Sequence, residues 1–314
     1  MISFQRIKHK EVRKMRQTTI FYGNGVNRLS KDGKSWDNVL RQISQGQILP
    51  PIENNTLKYE YIVLPKDRYT EVDWGFHIIE EGKPIPTEMK DTELYIKENL
   101  ALEMKQFKAA EFYTELAELK ADYYLTTNYE SFLIEPFSKM GYRPIGPVNP
   151  LYKTKPHYIL EKGNRQVKLW NIHGSLELEE YILLGLYEYS KYVIDIDKII
   201  RSIERDLPDI DRQSWPYIML HSDVHILGFG LGYEEIDIWY FLTSRKRLLR
   251  TNKIEKNRIT HYAINDGSFD IGKVKLLEAL DVEVEIIDFD WSPDAYKKAY
   301  EDIYNRIKNR MNNE

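Results

Sequence analysis

Five short stretches of this 314-residue chain combine glycine with small polar or ionisable side chains. They are Gly23-Asn24-Gly25-Val26-Asn27, Thr127-Asn128-Tyr129-Glu130, His173-Gly174-Ser175, Gly228-Phe229-Gly230-Leu231-Gly232 and Asn265-Asp266-Gly267. Glycine lets a backbone approach a phosphate closely, and N–H groups at such a turn favour an anion. An asparagine amide donates and accepts hydrogen bonds without charge, and a histidine with a reference pKa near ~6.5 can exchange a proton at neutral pH. Together these are the materials of a nucleotide site. Each alone has a plainer reading. Gly23 and Gly25 make an ordinary turn, because the third glycine of G-x-G-x-x-G is missing. Asn128 caps a helix, and His173 is a satisfied structural histidine. Gly228 and Gly230 let a helix pack on a strand, and Asn265 with Gly267 marks a turn.

The elements around these stretches change the weighting. Strands are expected over Thr18 to Tyr22, Asp122 to Thr126, Val167 to Ile172, Val224 to Phe229, Ile259 to Ile264 and Val282 to Ile287. Apolar spacing predicts helices over Trp36 to Ile43, Glu93 to Lys120, Ser131 to Met140, Ile194 to Arg205, Tyr233 to Arg250, Gly272 to Leu280 and Trp291 to Met311. A further strand is expected at Tyr59 to Leu64, and residues 141–166 read as loop. Short apolar strands alternating with helices imply an α/β fold, Rossmann-like, with a mainly parallel sheet and helices on both faces. In such sheets the ligand sits beyond the carboxyl ends of the strands, near the switch in strand order. The five stretches follow five successive strands, and that joint placement favours a nucleotide site over five unrelated turns.

The chain reads as one domain over 1–314, with a basic N-terminal helix at 1–17, a helical and loop insertion at 45–120, a loop insertion at 141–166 and a C-terminal helix at 291–314. Its composition is globular, with 42% hydrophobic and 30% charged residues. A net charge of −4 offers no general field for nucleic acid. The basic run Arg6 to Arg16 reads as a surface helix with one docked face rather than a polyanion-binding arm. The absence of cysteine excludes disulfides, a thiol nucleophile and cysteine-held zinc. His221 and His225 are four apart but straddle the start of a predicted strand, so no zinc pair is expected. The sequence has no membrane-spanning apolar run and no signal-peptide core at its start, so the expected location is the cytoplasm.

Taken in order, the motifs resemble those of the sirtuin family of NAD-dependent enzymes. Gly23-Asn24-Gly25 resembles the family's glycine-alanine-glycine turn, and Thr126-Thr127-Asn128-Tyr129-Glu130 its Thr-Gln-Asn-Ile-Asp motif. His173-Gly174 resembles its catalytic His-Gly, Gly228-Phe229-Gly230 its Gly-Thr-Ser turn, and Ile264-Asn265 its adenosine-side Ile-Asn. The four-cysteine zinc module is missing. Glu130 stands where the family has aspartate, Gly230 where it has a phosphate-binding serine, and Ser35-Trp36-Asp37 in place of a proline-rich cofactor loop. The chain is therefore most similar to the zinc-free sirtuin-like proteins of bacterial antiphage defence, which hydrolyse NAD.

The resemblance implies that Asn128 serves the water and ribose hydroxyls and that His173 is the general base. It implies NAD contacts from Gly23, Asn24, Gly25, Asn27, Thr127, Gly228, Gly230 and Leu231, from Asn265 at the adenosine ribose, and from Glu130 and Asp37 near the nicotinamide. NAD is then substrate, and no metal is called for. It also implies a homo-oligomer with a HerA-type ring ATPase as partner; the tyrosines between Tyr181 and Tyr192 suit such an interface or, equally, a half-exposed layer of the monomer. Rival readings are a zinc-free deacylase or ADP-ribosyltransferase, and a regulatory subunit that binds NAD or a derivative without turnover.

Overall fold

Strand β1, Thr18–Tyr22, is TTIFY, a run of β-branched and aromatic residues that favours an extended, buried strand. It pairs in parallel with β2, Tyr123–Thr126, on one side and β6, Asp223–Leu227, on the other. The structure is a computed structural model and describes residues 16–30, 36–43, 51, 54–63, 89–146, 153–267 and 270–313. The remaining strands are β3, Arg143–Pro144; β4, Tyr158–Lys162; β5, Arg165–Asn171; β7, Ile259–Ile264; and β8, Glu283–Ile287. All join one eight-stranded sheet in the order β3-β4-β5-β2-β1-β6-β7-β8. Only β3 and β4, at one edge, run antiparallel to their neighbours. The six parallel strands, renumbered in chain order, read 3-2-1-4-5-6, with the order reversing between β1 and β6. This is a doubly wound, Rossmann-like arrangement, and in such sheets ligands bind in the crevice where the strand order reverses.

The sides of the sheet follow the period of two along β1. Phe21 points into one core, Ile20 and Tyr22 into the other, and all three are buried. The Phe21 side is covered by α6, Leu186–Glu204; α7, Trp215–His221; α8, Ile236–Arg250; and α9, Ile271–Ala279. The Ile20 side is covered by α4, Phe112–Glu118; α5, Ile134–Lys139; and α10, Ala295–Asn313. A third cluster joins α1, Trp36–Ile43, α2, Asn55–Val63, and α3, Met89–Met104, to Tyr129, Leu176 and Ile182, residues that follow β2 and β5. Helices α2 and α3 of the 45–120 segment thus sit beside the carboxyl ends of the strands, whereas α4 of the same segment packs under the sheet. No helix among the described residues is long and apolar enough to cross a membrane.

Several expected elements are corrected. Tyr59 to Leu64 is not a strand: residues to Val63 belong to α2, which buries Thr56, Tyr59, Ile62 and Val63 at helical spacing. Asn54 caps it, its Oδ1 accepting the Leu57 N–H at 2.9 Å. The single helix from Glu93 to Lys120 is two, α3 and α4. Ile96, Leu100 and Met104 belong to the third cluster, whereas Phe112, Tyr113 and Leu116 belong to the core beneath the sheet. The chain turns between them to serve both cores. Residues 141–166 are not simply loop: they contain β3 and β4, and β4 turns into β5 through Gly163-Asn164. Gly163, at φ 58°, stands first in that two-residue turn, a position where glycine is favoured. Helix α6 begins eight residues before the expected Ile194, and α7 was not anticipated, although Pro216 in its first turn is a start signal. The expected helix at 1–17 lies almost wholly outside the described residues, as does Ser35. Asp37 falls in the first turn of α1, but its side chain lies outside the described residues.

Of the tyrosines between Tyr181 and Tyr192, Tyr189 and Tyr192 are buried in the core and Tyr187 is 61% exposed. Burial of the first two removes them from any surface, so the stretch is not a uniform tyrosine face.

Candidate functional site

Just past the ends of β1 and β6 the two backbones press together. The Gly25 N–H donates to the Gly228 carbonyl at 2.7 Å and the Gly23 N–H to the Leu227 carbonyl at 3.2 Å. A Cβ on Gly23 would stand 2.8 Å from Gly228 O, and one on Gly25 2.7 Å from the same oxygen. Gly228 takes φ 60° with Val26 N and the Tyr300 hydroxyl close by. Three of the four predicted phosphate glycines are therefore required first by backbone packing, and the N–H groups of Gly23 and Gly25 already have partners. Gly230 differs. A Cβ there would meet nothing within 4 Å, because the residue borders open space. Its neighbour Leu231 is fully buried at φ 47°, a conformation that costs a non-glycine residue about 1–3 kcal/mol and is common at functional sites.

That open space is a cavity of about 530 Å³ at the switch in strand order, within the usual range for small-molecule sites. Of the predicted contact residues, Asn24, Gly25, Thr127, Gly228, Gly230 and Leu231 line it. Gly23, Asn27, Asn128 and Glu130 do not. Asn265 is exposed on its turn, outside the wall, while its neighbours Ile264 and Asp266 line it. Another depression, of about 560 Å³ beside Lys253 and Asp281, lies at the opposite end of the sheet, away from the strands' carboxyl ends.

Arg28 and Lys273 bring positive charge to the cavity, and Asp266, Asp270, Glu234 and Glu235 bring negative charge. Lys273 Nζ donates to the Gly230 carbonyl at 2.9 Å, and Arg28 to the Tyr296 hydroxyl at 3.2 Å. His261 lines the wall with Nε2 on the Phe229 carbonyl at 2.9 Å, and burial pushes its pKa down to about 4, so it is neutral.

Behind Thr127 lies a buried polar group. Asn27 Nδ2 donates to Glu130 at 2.5 Å, and the Tyr113 hydroxyl to Asn27 Oδ1 at 2.7 Å. Asn128 is 3% exposed, and its Nδ2 makes a long 3.4 Å contact to Tyr113. Burial raises the Glu130 pKa, against the hydrogen bond from Asn27. Glu130 Oε2, His261 Nδ1 and Asp237 Oδ1 are buried without a hydrogen-bond partner, and such atoms call for an explanation in each case.

A smaller pocket of about 40 Å³ adjoins the cavity, sharing Asn55, Thr127, Glu234 and Glu235 with it, and His173 lines it. His173 directly follows β5 and Ile172. Gly174 after it holds φ 99°, and a Cβ there would stand 2.6 Å from the Tyr181 carbonyl, so the His-Gly pair is a steric requirement. His173 is 2% exposed. Its Nε2 lies 2.9 Å from Asp237 Oδ2 and 3.8 Å from Glu235 Oε2, and the Tyr189 hydroxyl lies 3.1 Å from Nδ1. His173, Glu235 and Asp237 are also a group among the described residues whose ligand atoms, all within 4.8 Å, are near enough to share a metal ion. At 2.9 Å, however, Nε2 and Oδ2 are already hydrogen-bonded. His221 and His225 do not converge: the first ends α7 and bonds the Tyr217 carbonyl, and the second lies in β6 against Tyr262.

Tyr113, Tyr189, Glu235 and Asp237 were not anticipated from the sequence. Glu235 and Asp237 had a signal, since they continue the stretch after the fourth strand just past Gly232. Tyr189 and Tyr113 had none, because each reaches the site from a separate helix.

Burial disfavours the His173 cation, but Asp237 and Glu235 outweigh it and the pKa rises above its usual 6.5. Burial likewise raises the Glu235 pKa above 4.5, with His173 opposing. Both groups hold protons more tightly folded than unfolded, so stability should fall as pH rises, from 4.5 upward for Glu235 and from 6.5 upward for His173. Glu235→Gln should flatten the decline in melting temperature between about pH 5 and about pH 8, measured by calorimetry. Slopes equal to wild type would remove Glu235 as a source.

Compared with family models and with curated proteins, the chain matches none.

Proposed function

We propose that the protein hydrolyses NAD, cleaving the nicotinamide–ribose bond to give nicotinamide and ADP-ribose. The observation that carries this reading is the cavity at the 3-2-1-4-5-6 switch point, continuous with a pocket that holds a carboxylate-paired histidine. The open backbone at Gly230 and the unpartnered Nδ1 of His261, both on the cavity wall, suit a ligand that brings a donor and a phosphate chain. The order of the sequence motifs selects NAD among dinucleotides.

The chemistry asks little of the protein. The bond from the ribose carbon to nicotinamide breaks, and its electron pair neutralises the pyridinium nitrogen, so the leaving group needs no proton. Water bonds to the ribose carbon and loses a proton to His173, directly or through a ribose hydroxyl. Thr127 and Gly230 border the substrate. Asn128, one residue behind the wall, serves the ribose hydroxyls by turning its amide from its long contact with Tyr113. The pyrophosphate is held by backbone near Gly230 and Leu231 rather than by the N–H groups of Gly23 and Gly25, whose hydrogens are already shared.

The motif resemblance supports a wider reading: cleavage depletes NAD during antiphage defence, and the chain works as a homo-oligomer with a HerA-type ATPase. The test of the core reading is incubation of the purified protein with NAD and chromatography of the products. Nicotinamide and ADP-ribose should appear in equal amounts. NAD bound but intact would favour a regulatory binding subunit, and no binding at all would overturn the site.

A further inference from the structure

Asp237 is fully buried on the first turn of α8, and one of its two oxygens has no hydrogen-bond partner. A carboxylate in that position costs stability unless it is paired. Its pairing is with His173, across 2.9 Å. The other described histidines hydrogen-bond neutral groups, and His157 Nε2 and His261 Nδ1 are buried with no partner at all. His221 and His261 bond backbone carbonyls, His225 a tyrosine hydroxyl, and His157 accepts the Asn171 N–H. Burial drives His157, His225 and His261 down to about 4, whereas His173 moves the other way. Buried histidines in this protein are therefore accommodated without a carboxylate partner, and the one at His173 calls for another reason.

We propose that Asp237 is the positioning residue of His173: it accepts a hydrogen bond from the Nε2–H and so fixes the tautomer whose Nδ1 lone pair accepts the reacting proton. The inference rests on the NAD hydrolase reading for its role in turnover. The geometry agrees on the Nδ1 side. In that tautomer the Tyr189 hydroxyl, 3.1 Å from Nδ1, is the donor of the pair, and it has a second acceptor in Glu235 Oε2 at 3.5 Å. It can turn to Glu235 when a substrate hydroxyl or water takes its place. The proton leaves that hydroxyl for Nδ1, His173 becomes imidazolium, and Asp237 balances the charge without taking a proton itself.

The test is nitrogen NMR of the full-length protein labelled at histidine, with the His173 signals assigned by their loss in His173→Gln. The groups facing His173 are Asp237 and Glu235 at the start of α8 and Tyr189 on α6, with Lys153 and Glu234 further out. Wild type should show the hydrogen on Nε2, a measurement that needs no variant at Asp237. In Asp237→Asn the fixed tautomer should be lost and the His173 titration should move to lower pH, because a negative neighbour is gone. NAD cleavage should fall roughly 10²-fold or more in kcat with KM little changed, and the acid limb of its pH profile should move down with the titration. A hydrogen on Nδ1 in wild type, or an unmoved titration in a folded Asp237→Asn protein, would overturn the proposal. Should wild type show the expected tautomer and shift but leave NAD intact, the pairing stands and the hydrolase reading alone fails.

Discussion

Replacing His173 with glutamine is expected to lower NAD cleavage by roughly 10²–10⁴, the usual contribution of a general base. Glutamine keeps an N–H that can reach Asp237, so the buried carboxylate retains a donor. What it cannot do is accept a proton from water or from a ribose hydroxyl. The loss should therefore fall on kcat, while NAD binding, judged by calorimetric titration, should remain near wild type. The main cavity is lined by other residues, and His173 faces the adjoining pocket. Wild-type turnover in a folded His173→Gln protein would refute the assignment of the base. Asn128→Ala is the natural companion: its side chain makes a long hydrogen bond of 3.4 Å to Tyr113 and also supports Glu130, and its removal reports on the ribose contact.

The second large effect concerns stability. Arg245 on α8 is fully buried, and its guanidinium donates to four oxygens: Asn257 Oδ1 at 2.9 Å, the Asn257 carbonyl at 2.7 Å, and the Leu280 and Asp281 carbonyls at 3.3 Å each. Asn257 in turn donates to the carbonyls of Met219 and Ser222. One side chain thereby joins the end of α8, the end of α7 and the segments entering β6, β7 and β8. Removing a donor leaves each buried acceptor to lose about 1–3 kcal/mol, although rearrangement recovers part of the sum. Arg245→Met should cost about 3–5 kcal/mol, read as a lower urea midpoint at unchanged slope by tryptophan fluorescence. The network lies at the opposite end of the sheet from the cavity. Turnover per folded molecule should thus persist, and a destabilisation under about 1 kcal/mol would mean the network contributes little.

Much of the fold was legible. Thr18–Tyr22 and Ile259–Ile264 have the expected bounds, because strongly apolar, β-branched runs flanked by glycine or polar residues have one low-energy use. Helices α8 and α10 were found to within a few residues for the analogous reason at helical period. The errors share a cause. Between residues 89 and 118 nothing local breaks the helix, and the break exists because two cores compete for successive apolar stripes. Tyr59, Ile62 and Val63 suit strand or helix alike, and the third cluster chose helix.

The site divides in the same way. By itself the sequence determined which residues stand at the carboxyl ends of the strands, Thr127 and His173 among them, because a strand's end is written in adjacent residues. That glycine is required at positions 25, 174 and 228 was decided by backbone approaches that exist only in three dimensions. Tertiary structure alone decided the strand order, which puts β1 beside β6 and opens the cavity between them. It also decided that Asp237, sixty-four residues beyond His173, becomes its partner. Pairing at that separation depends on how α6 and α8 pack on the sheet, a property of the whole core, whereas the end of a strand depends on a few neighbouring side chains.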